Sequence, residues 1–369
     1  VLARPVRSTI DVPRADNTQM DGYAVRAAEA TAGARLPVSQ RIPAGHVGGP
    51  LEPGTAARIF TGGLIPPGAD AVVMQEMTET DGGTVVIREA PAPGQWIRRA
   101  GEDIREGAEI LRAGERLRPQ AVGLAASVGL AEVTVHRRVR VACFFTGDEL
   151  ANPGEPLPPG ATYNSNRYVL VGMLRALGCE VSDLGTVPDS LEATRAALRE
   201  AAAGNDLIVT SGGVSVGEED HIRPALEAEG ELALWQVAIK PGKPLAYGRV
   251  RDGTDRHAHF IGLPGNPVSS FVTFLLFVRP FLLRLQGVER VAPVALPMRA
   301  DFDWSRPDRR REFLRARINE GGGLELFPHQ GSAVLTSTAW ADGLVDNPPG
   351  GEIHRGDTVR FLPFDSLLA

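Results

Sequence analysis

Asp206-Leu207-Ile208-Val209-Thr210-Ser211-Gly212-Gly213-Val214-Ser215-Val216-Gly217-Glu218-Glu219-Asp220 is the stretch that decides the fold. A short apolar, β-branched run reads as a buried strand, and it empties into serines and glycines followed by three acids. Working outward, strand and helix signals alternate. Upstream, residues 139–145 predict a strand and 166–177 a helix. Residues 179–184 then predict a strand and 191–203 a helix. Downstream, a short helix is expected near 222–229, strands at 232–239 and 259–263, and a long helix over 268–285. This alternation predicts a doubly wound, mainly parallel sheet with helices on both faces, spanning 137–287. The flanks differ. Residues 12–107 hold Gly, Pro and short β-branched runs, which predict a β-rich inserted domain. Residues 1–11 and 108–136 form a linking N-terminal domain, with one helix over 119–128 opened by Pro119 and closed by Gly129. Residues 288–369 return to short strands and turns, a C-terminal β domain. A chain of 369 residues is long enough for several such domains.

Charge and composition exclude some functions. The formal net charge is −6, so no excess of positive charge is available to track a nucleic acid backbone. Cys143 and Cys179 are isolated from each other and from histidines, which predicts buried thiols in a reducing compartment. No apolar leader follows Val1, and the apolar run over 271–283 is broken by Arg279 and Pro280, so neither export nor a membrane span is expected. A cytoplasmic enzyme is the expectation. Of the 39 basic side chains only Lys240 and Lys243 are lysine. A coding bias toward arginine explains the background. Two lysines three residues apart then mark places where a compact point charge serves and a planar fork does not, such as a tight pocket for a small anion.

In doubly wound sheets ligands bind beyond the carboxyl ends of the strands. Four segments fall there: Thr146-Gly147-Asp148-Glu149, the glycine loop from Ser211 to Asp220, Lys240-Pro241-Gly242-Lys243-Pro244, and Pro264-Gly265-Asn266-Pro267. Gly212, Gly213 and Gly217 permit close backbone approach to a phosphate, and Ser211 and Ser215 add hydroxyl donors. Lys240 and Lys243 supply charge for an anion. The Pro264–Pro267 turn opens a helix, an anion-friendly place. Asp148, Glu149 and Asp220 offer hard oxygens that suit magnesium beside a phosphate. Plain turns and solvated loop charges are the alternative readings, and Glu218 and Glu219 fit the latter. Asp16–Ala24 reads alone as a capped polar turn. Arg309–Arg315 reads as a strand with alternate residues on one face, either solvated or functional. The histidines show no ligand spacing, and no nucleophile elbow, Walker loop or dinucleotide fingerprint is present.

Together these segments resemble one family, molybdopterin molybdenumtransferase, called MoeA in bacteria and related to the E domain of gephyrin. The likeness runs through Asp16–Ala24, Thr61-Gly62, Gly101-Glu102-Asp103-Ile104, Thr146–Leu150, Tyr163–Asn166, Thr210–Asp220, Lys240–Pro244, Gly262–Ser269, Arg310–Arg315 and Gln330-Gly331-Ser332. The resemblance implies insertion of molybdate into adenylylated molybdopterin, with cleavage of the adenylate to AMP and with magnesium as cofactor. It implies that Lys240, Lys243, Arg310 and Ser332 grip molybdate, and that Glu149, Asp206 and Asp220 are acidic functional positions, with Glu149 and Asp220 on the metal. Asp21, Thr61 and Asp103 are functional positions of the first half. A homodimer is implied, with the site between the α/β domain of one subunit and the C-terminal domain of the other. A molybdopterin adenylyltransferase and cofactor-accepting enzymes are the implied partners. Thr18, Gly63 and Asp342 stand where the family usually has Ser, Ala and Asn. A helical N-terminal segment is expected to be missing ahead of Val1. Two alternatives stay open: adenylylation of molybdopterin, and a non-catalytic scaffold like gephyrin.

Overall fold

A computed structural model describes residues 1–214, 220–254 and 256–368. Ser215, Gly217, Glu218 and Glu219 of the glycine loop lie outside the described residues. The chain forms two compact units, Val1–Val135 and His136–Ala369.

In the first unit, six strands form one sheet in the order Ala71–Met74, Gly22–Val25, Ala56–Ile59, Arg35–Ile42, Thr84–Ile87, Thr78–Asp81. Val25, Ala56, Val85 and Ile87 are fully buried on one side of it, and Ala24, Ala57, Ile59 and Val72 on the other. The strand pair Val6–Arg7 and Glu109–Leu111 packs with the helix Pro119–Ser127 around Leu2, Val6, Leu111 and Ala125. The chain ends of this unit thus share a small core of their own.

The second unit holds the α/β sheet. Its order is Glu180–Val187, Arg140–Thr146, Leu207–Ser211, His257–Leu263, Pro244–Arg251, Gly230–Gln236. The first four strands are parallel. The last two add antiparallel. The strand Pro244–Arg251 was not expected from sequence. It pairs antiparallel with His257–Leu263, and its alternation of buried and exposed positions is clear only once its partners are in place. Side-chain caps fix where two helices start: Asn164 accepts from Arg167 N at 3.1 Å, and Ser190 accepts from Ala193 N at 3.2 Å. Phe144, Ile208, Leu198 and Phe260 lie fully buried between sheet and helices.

The expected strand over 232–239 is two elements. Gly230–Gln236 stays in the α/β sheet, whereas Ile239–Lys240 leaves it and pairs in parallel with Arg311–Ile318 of the C-terminal sheet. That second sheet continues through Gly343–Asn347, Thr358–Pro363 and Leu296–Arg299. Residues 312–316 are all buried, so the Arg-rich strand is central and does not show the one-faced alternation expected of it. The helix from Pro267 to Leu285 is 19 residues long with mean hydropathy 1.7, enough by length and composition to cross a membrane. It matches the helix expected over 268–285, and Arg279 and Pro280 lie inside it without ending it. Its apolar window is 67% buried within the protein, and buried Arg279 donates to the carbonyls of Leu367, Val291 and Ser366.

Candidate functional site

The carboxyl ends of the parallel strands open onto a cavity of about 670 Å³. That is the size of a small-ligand site. Thr146, Gly147, Glu149, Ser211, Gly212, Gly213, Asp220, Pro264, Gly265, Asn266 and Pro267 all line it. Gly212 has φ +101°, and a Cβ there would sit 2.4 Å from Thr146 O. Only glycine lets the two strand ends approach so closely. Asn166 ties two loops together, its Nδ2 donating to Ser211 Oγ at 2.9 Å and to Gly265 O at 2.7 Å. Ser211 Oγ donates to Pro264 O at 2.9 Å. The Thr146 hydroxyl is buried at the cavity wall with no hydrogen-bond partner among the described residues. A buried polar group of that kind asks for a ligand or water.

Acids crowd this rim. Asp148 and Asp189 exchange backbone-to-carboxylate hydrogen bonds, each 3.0 Å, and Asp189 lines the cavity with Glu149 and Asp220. Burial raises the Asp189 carboxyl above its ordinary value, and the charges of Asp148 and Glu149 add to the rise. Asp206 is elsewhere. It precedes Leu207 at the amino end of a strand whose carboxyl end is Ser211, a separation of roughly 17 Å at the usual rise per residue. There Arg137 clasps it through two bonds of 2.6 and 2.7 Å, and Arg140 N donates at 2.9 Å. The Arg137 hydrogen bonds hold its carboxyl below the ordinary value. Asp206 thus straps the sheet's far end, apart from the acids that line the cavity.

The lysine loop lies beside the cavity: Pro244 lines it, and Gly242 approaches Ser269, another lining residue. Lys240 Nζ is 3.1 Å from Glu312 Oε1 and 3.3 Å from Asp308 Oδ2. Arg310 grips the same Asp308 with Nε and Nη2, at 3.0 and 2.8 Å. The pairing of Ile239–Lys240 with Arg311–Ile318 brings these charges together within one chain. A second subunit is therefore not needed to place Arg310 beside Lys240. Lys243 is exposed and makes no ion pair among the described residues. Ser332 O accepts from Val268 N at 3.0 Å, and its neighbour Ala333 lines the cavity. Buried Arg315 holds this loop through Gly331 O at 3.2 Å, and desolvation lowers its pKa to about 10.

In the first unit, Asp21 Oδ1 accepts from Thr61 N at 2.7 Å and Thr61 Oγ1 at 2.8 Å, which lowers its pKa. Asp103 is exposed, and its N–H donates to Val12 O at 3.0 Å. Cys143 and Cys179 are buried thiols, as expected, and burial pushes them up to about 12 and 11. Sequence reading missed Asp189 and gave Asn166 no role. The signal for Asp189 was available: it follows the second parallel strand, the one strand end left unexamined.

A profile of the MoeA N-terminal region (domain I and II) matches residues 1–129. A profile described as a probable molybdopterin binding domain matches 142–284, and one of the MoeA C-terminal region (domain IV) matches 297–364. A molybdopterin molybdenumtransferase of Haemophilus influenzae is 40% identical over 376 residues, covering 100% of this chain and 92% of that protein. One of a Nostoc species is 36% identical, covering 98% and 86%. A solved molybdopterin biosynthesis MoeA protein from Pyrococcus horikoshii matches at a TM-score of 0.79 and 33% identity, covering 99% of this chain and 91% of that one. The three profiles, the full-length identity and the shared fold agree: the chain belongs to the molybdopterin molybdenumtransferase family, the MoeA proteins of molybdenum cofactor biosynthesis.

Proposed function

We propose that this chain takes adenylylated molybdopterin and molybdate, cleaves the adenylate to AMP and leaves molybdenum on the pterin dithiolene. One observation carries the reading: a glycine-lined cavity of about 670 Å³ at the carboxyl ends of the parallel strands adjoins the loop that carries Lys240 and Lys243. Gly212, Gly213 and the Pro264–Pro267 turn offer backbone amides to a phosphate, while Lys240, Lys243 and Arg310 offer charge to a tetrahedral oxyanion. Ser332 belongs to the same wall.

Magnesium is proposed as the resident metal. The donor set suits it: Glu149 and Asp220 both line the cavity, and magnesium takes one or two carboxylates and completes its shell with phosphate and water. Glu149 and Asp220 would hold it, with Asp189 beside them. When bound, it would neutralise the phosphate bridge and make AMP a better leaving group. The protein's own share is to cradle the phosphates, hold the pterin in the cavity and gather the oxyanion next to it.

A homodimer with a shared site, a cytoplasmic setting, and functional partners upstream (an adenylyltransferase) and downstream (a molybdoenzyme) belong to this proposal. The test is incubation of the purified protein with adenylylated molybdopterin, molybdate and magnesium. Molybdate-dependent AMP release with transfer of the metal is the expected result. Adenylylation of molybdopterin from ATP, with no turnover of the adenylylated form, would replace it with the other step. Light scattering at two protein concentrations tests the dimer.

A further inference from the structure

The cations assigned above to an oxyanion are already holding one. Asp308 presents two oxygens to the Arg310 fork, at 3.0 and 2.8 Å, and one of them also lies 3.3 Å from Lys240 Nζ. The Arg310 N–H adds a third bond to Oδ1 at 3.0 Å. A carboxylate gripped by a bidentate guanidinium and an ammonium has the contacts that one edge of a tetrahedral oxyanion would make.

The second carboxylate near Lys240 behaves differently. Glu312 sits on a strand in register with Lys240, is fully buried, and is pinned by Trp304 Nε1 at 2.9 Å. It cannot leave without stranding a charge in the interior. Asp308 lies on the loop before that strand. Its backbone is anchored, since Gly350 N donates to its carbonyl at 2.8 Å, but its side-chain contacts are all to the two cations and to the Arg310 amide. Rotation about its own side-chain bonds is enough to free both cations.

We propose that Asp308 occupies, in the resting protein, the place an oxyanion takes between Lys240 and Arg310, and that the incoming anion must displace it. The inference rests on reading those two residues as oxyanion grips. Charge then sets selectivity. With Glu312 fixed beside them, Lys240 and Arg310 give up one carboxylate charge when Asp308 turns away, and a dianion returns two. A monoanion such as nitrate brings no more charge than the carboxylate it must expel, and it gives up Asp308's tethering. A dianion such as molybdate gains on both cations. Asp308 is therefore a specificity-determining residue that keeps monoanions out.

Equilibrium dialysis of sodium molybdate against the full chain, with and without excess sodium nitrate, tests this in the wild type, Asp308→Asn and Asp308→Ala. The expected result is about tenfold tighter molybdate binding in both variants, with nitrate competing in the variants and not in the wild type. Unchanged or weaker binding in variants that melt normally would overturn the inference and leave the anion site standing. Absence of molybdate binding in all three would remove the anion site and the inference with it. Crystals of the unaltered protein soaked in molybdate give a second test that needs no variant. Molybdate on Lys240 and Arg310 with Asp308 rotated away supports displacement; molybdate seated with Asp308 still on both Arg310 nitrogens contradicts it.

Discussion

The two ends of one parallel sheet treat their acids in opposite ways. At the amino end, Asp206 is fully compensated by a bidentate Arg137 and the Arg140 amide, and its pKa falls. At the carboxyl end, Asp148, Glu149, Asp189 and Asp220 gather around a cavity, and Asp189 rises because burial and like charge oppose its ionisation. Both ends carry acids. The difference is in the neighbours. An acid clasped by arginine holds the sheet together, whereas acids gathered beside one another at a cavity suit a cation and a phosphate.

The largest expected effect comes from closing the rim. In Gly212→Ala the new Cβ must push Thr146 O away and adopt φ near +101°. Displacing a strand end in this way should lower AMP release at least about 100-fold and lower stability by about 1–3 kcal/mol, read by AMP assay and denaturant melt. A fully active variant would show that the close approach is not needed.

Next comes the amino end. Asp206→Asn should cost about 2 kcal/mol at neutral pH, the worth of hydrogen bonds to a charged group. The sign follows from the lowered pKa: this stability is present above the unfolded value of 3.8 and is lost as pH falls through the folded value. Melts of variant and wild type should therefore converge in acid. A gap that persisted at low pH would mean that Asp206 acts through shape and not charge.

The smallest effect has the opposite sign. A raised carboxylate such as Asp189 is least costly when protonated, so its penalty appears as pH climbs past 3.8 and through the folded value. Asp189→Asn should raise stability at neutral pH by under about 1 kcal/mol and leave it unchanged in acid. Destabilisation at neutral pH would mean that the bonds Asp189 shares with Asp148 outweigh the cost of its burial.

Much of this comparison was legible in the sequence. The loops after the Arg140–Thr146, Leu207–Ser211 and His257–Leu263 strands were legible because glycine, proline and short polar residues fall at the carboxyl ends of strands, where such sheets bind ligands. Asp189 was hidden by its neighbour: Pro188-Asp189-Ser190 reads as a helix start, and Ser190 does cap one. The clasp on Asp206 was not legible because its partner Arg137 is 69 residues away, and no local pattern reveals such a pairing. The fate of Lys240 was equally hidden. A two-residue strand has no periodicity, and only its pairing with Arg311–Ile318 shows that the lysine meets Asp308 and Glu312.

The central claim is that the chemistry belongs to the carboxyl end and that the amino end only holds the sheet. Molybdate-dependent AMP release by Glu149→Gln and Asp206→Asn, measured side by side at a temperature where both are folded, tests it most directly. The Glu149 variant should lose at least about 100-fold while keeping its fold, and the Asp206 variant should match wild type per folded molecule. A folded but inactive Asp206 variant beside an active Glu149 variant would contradict the account.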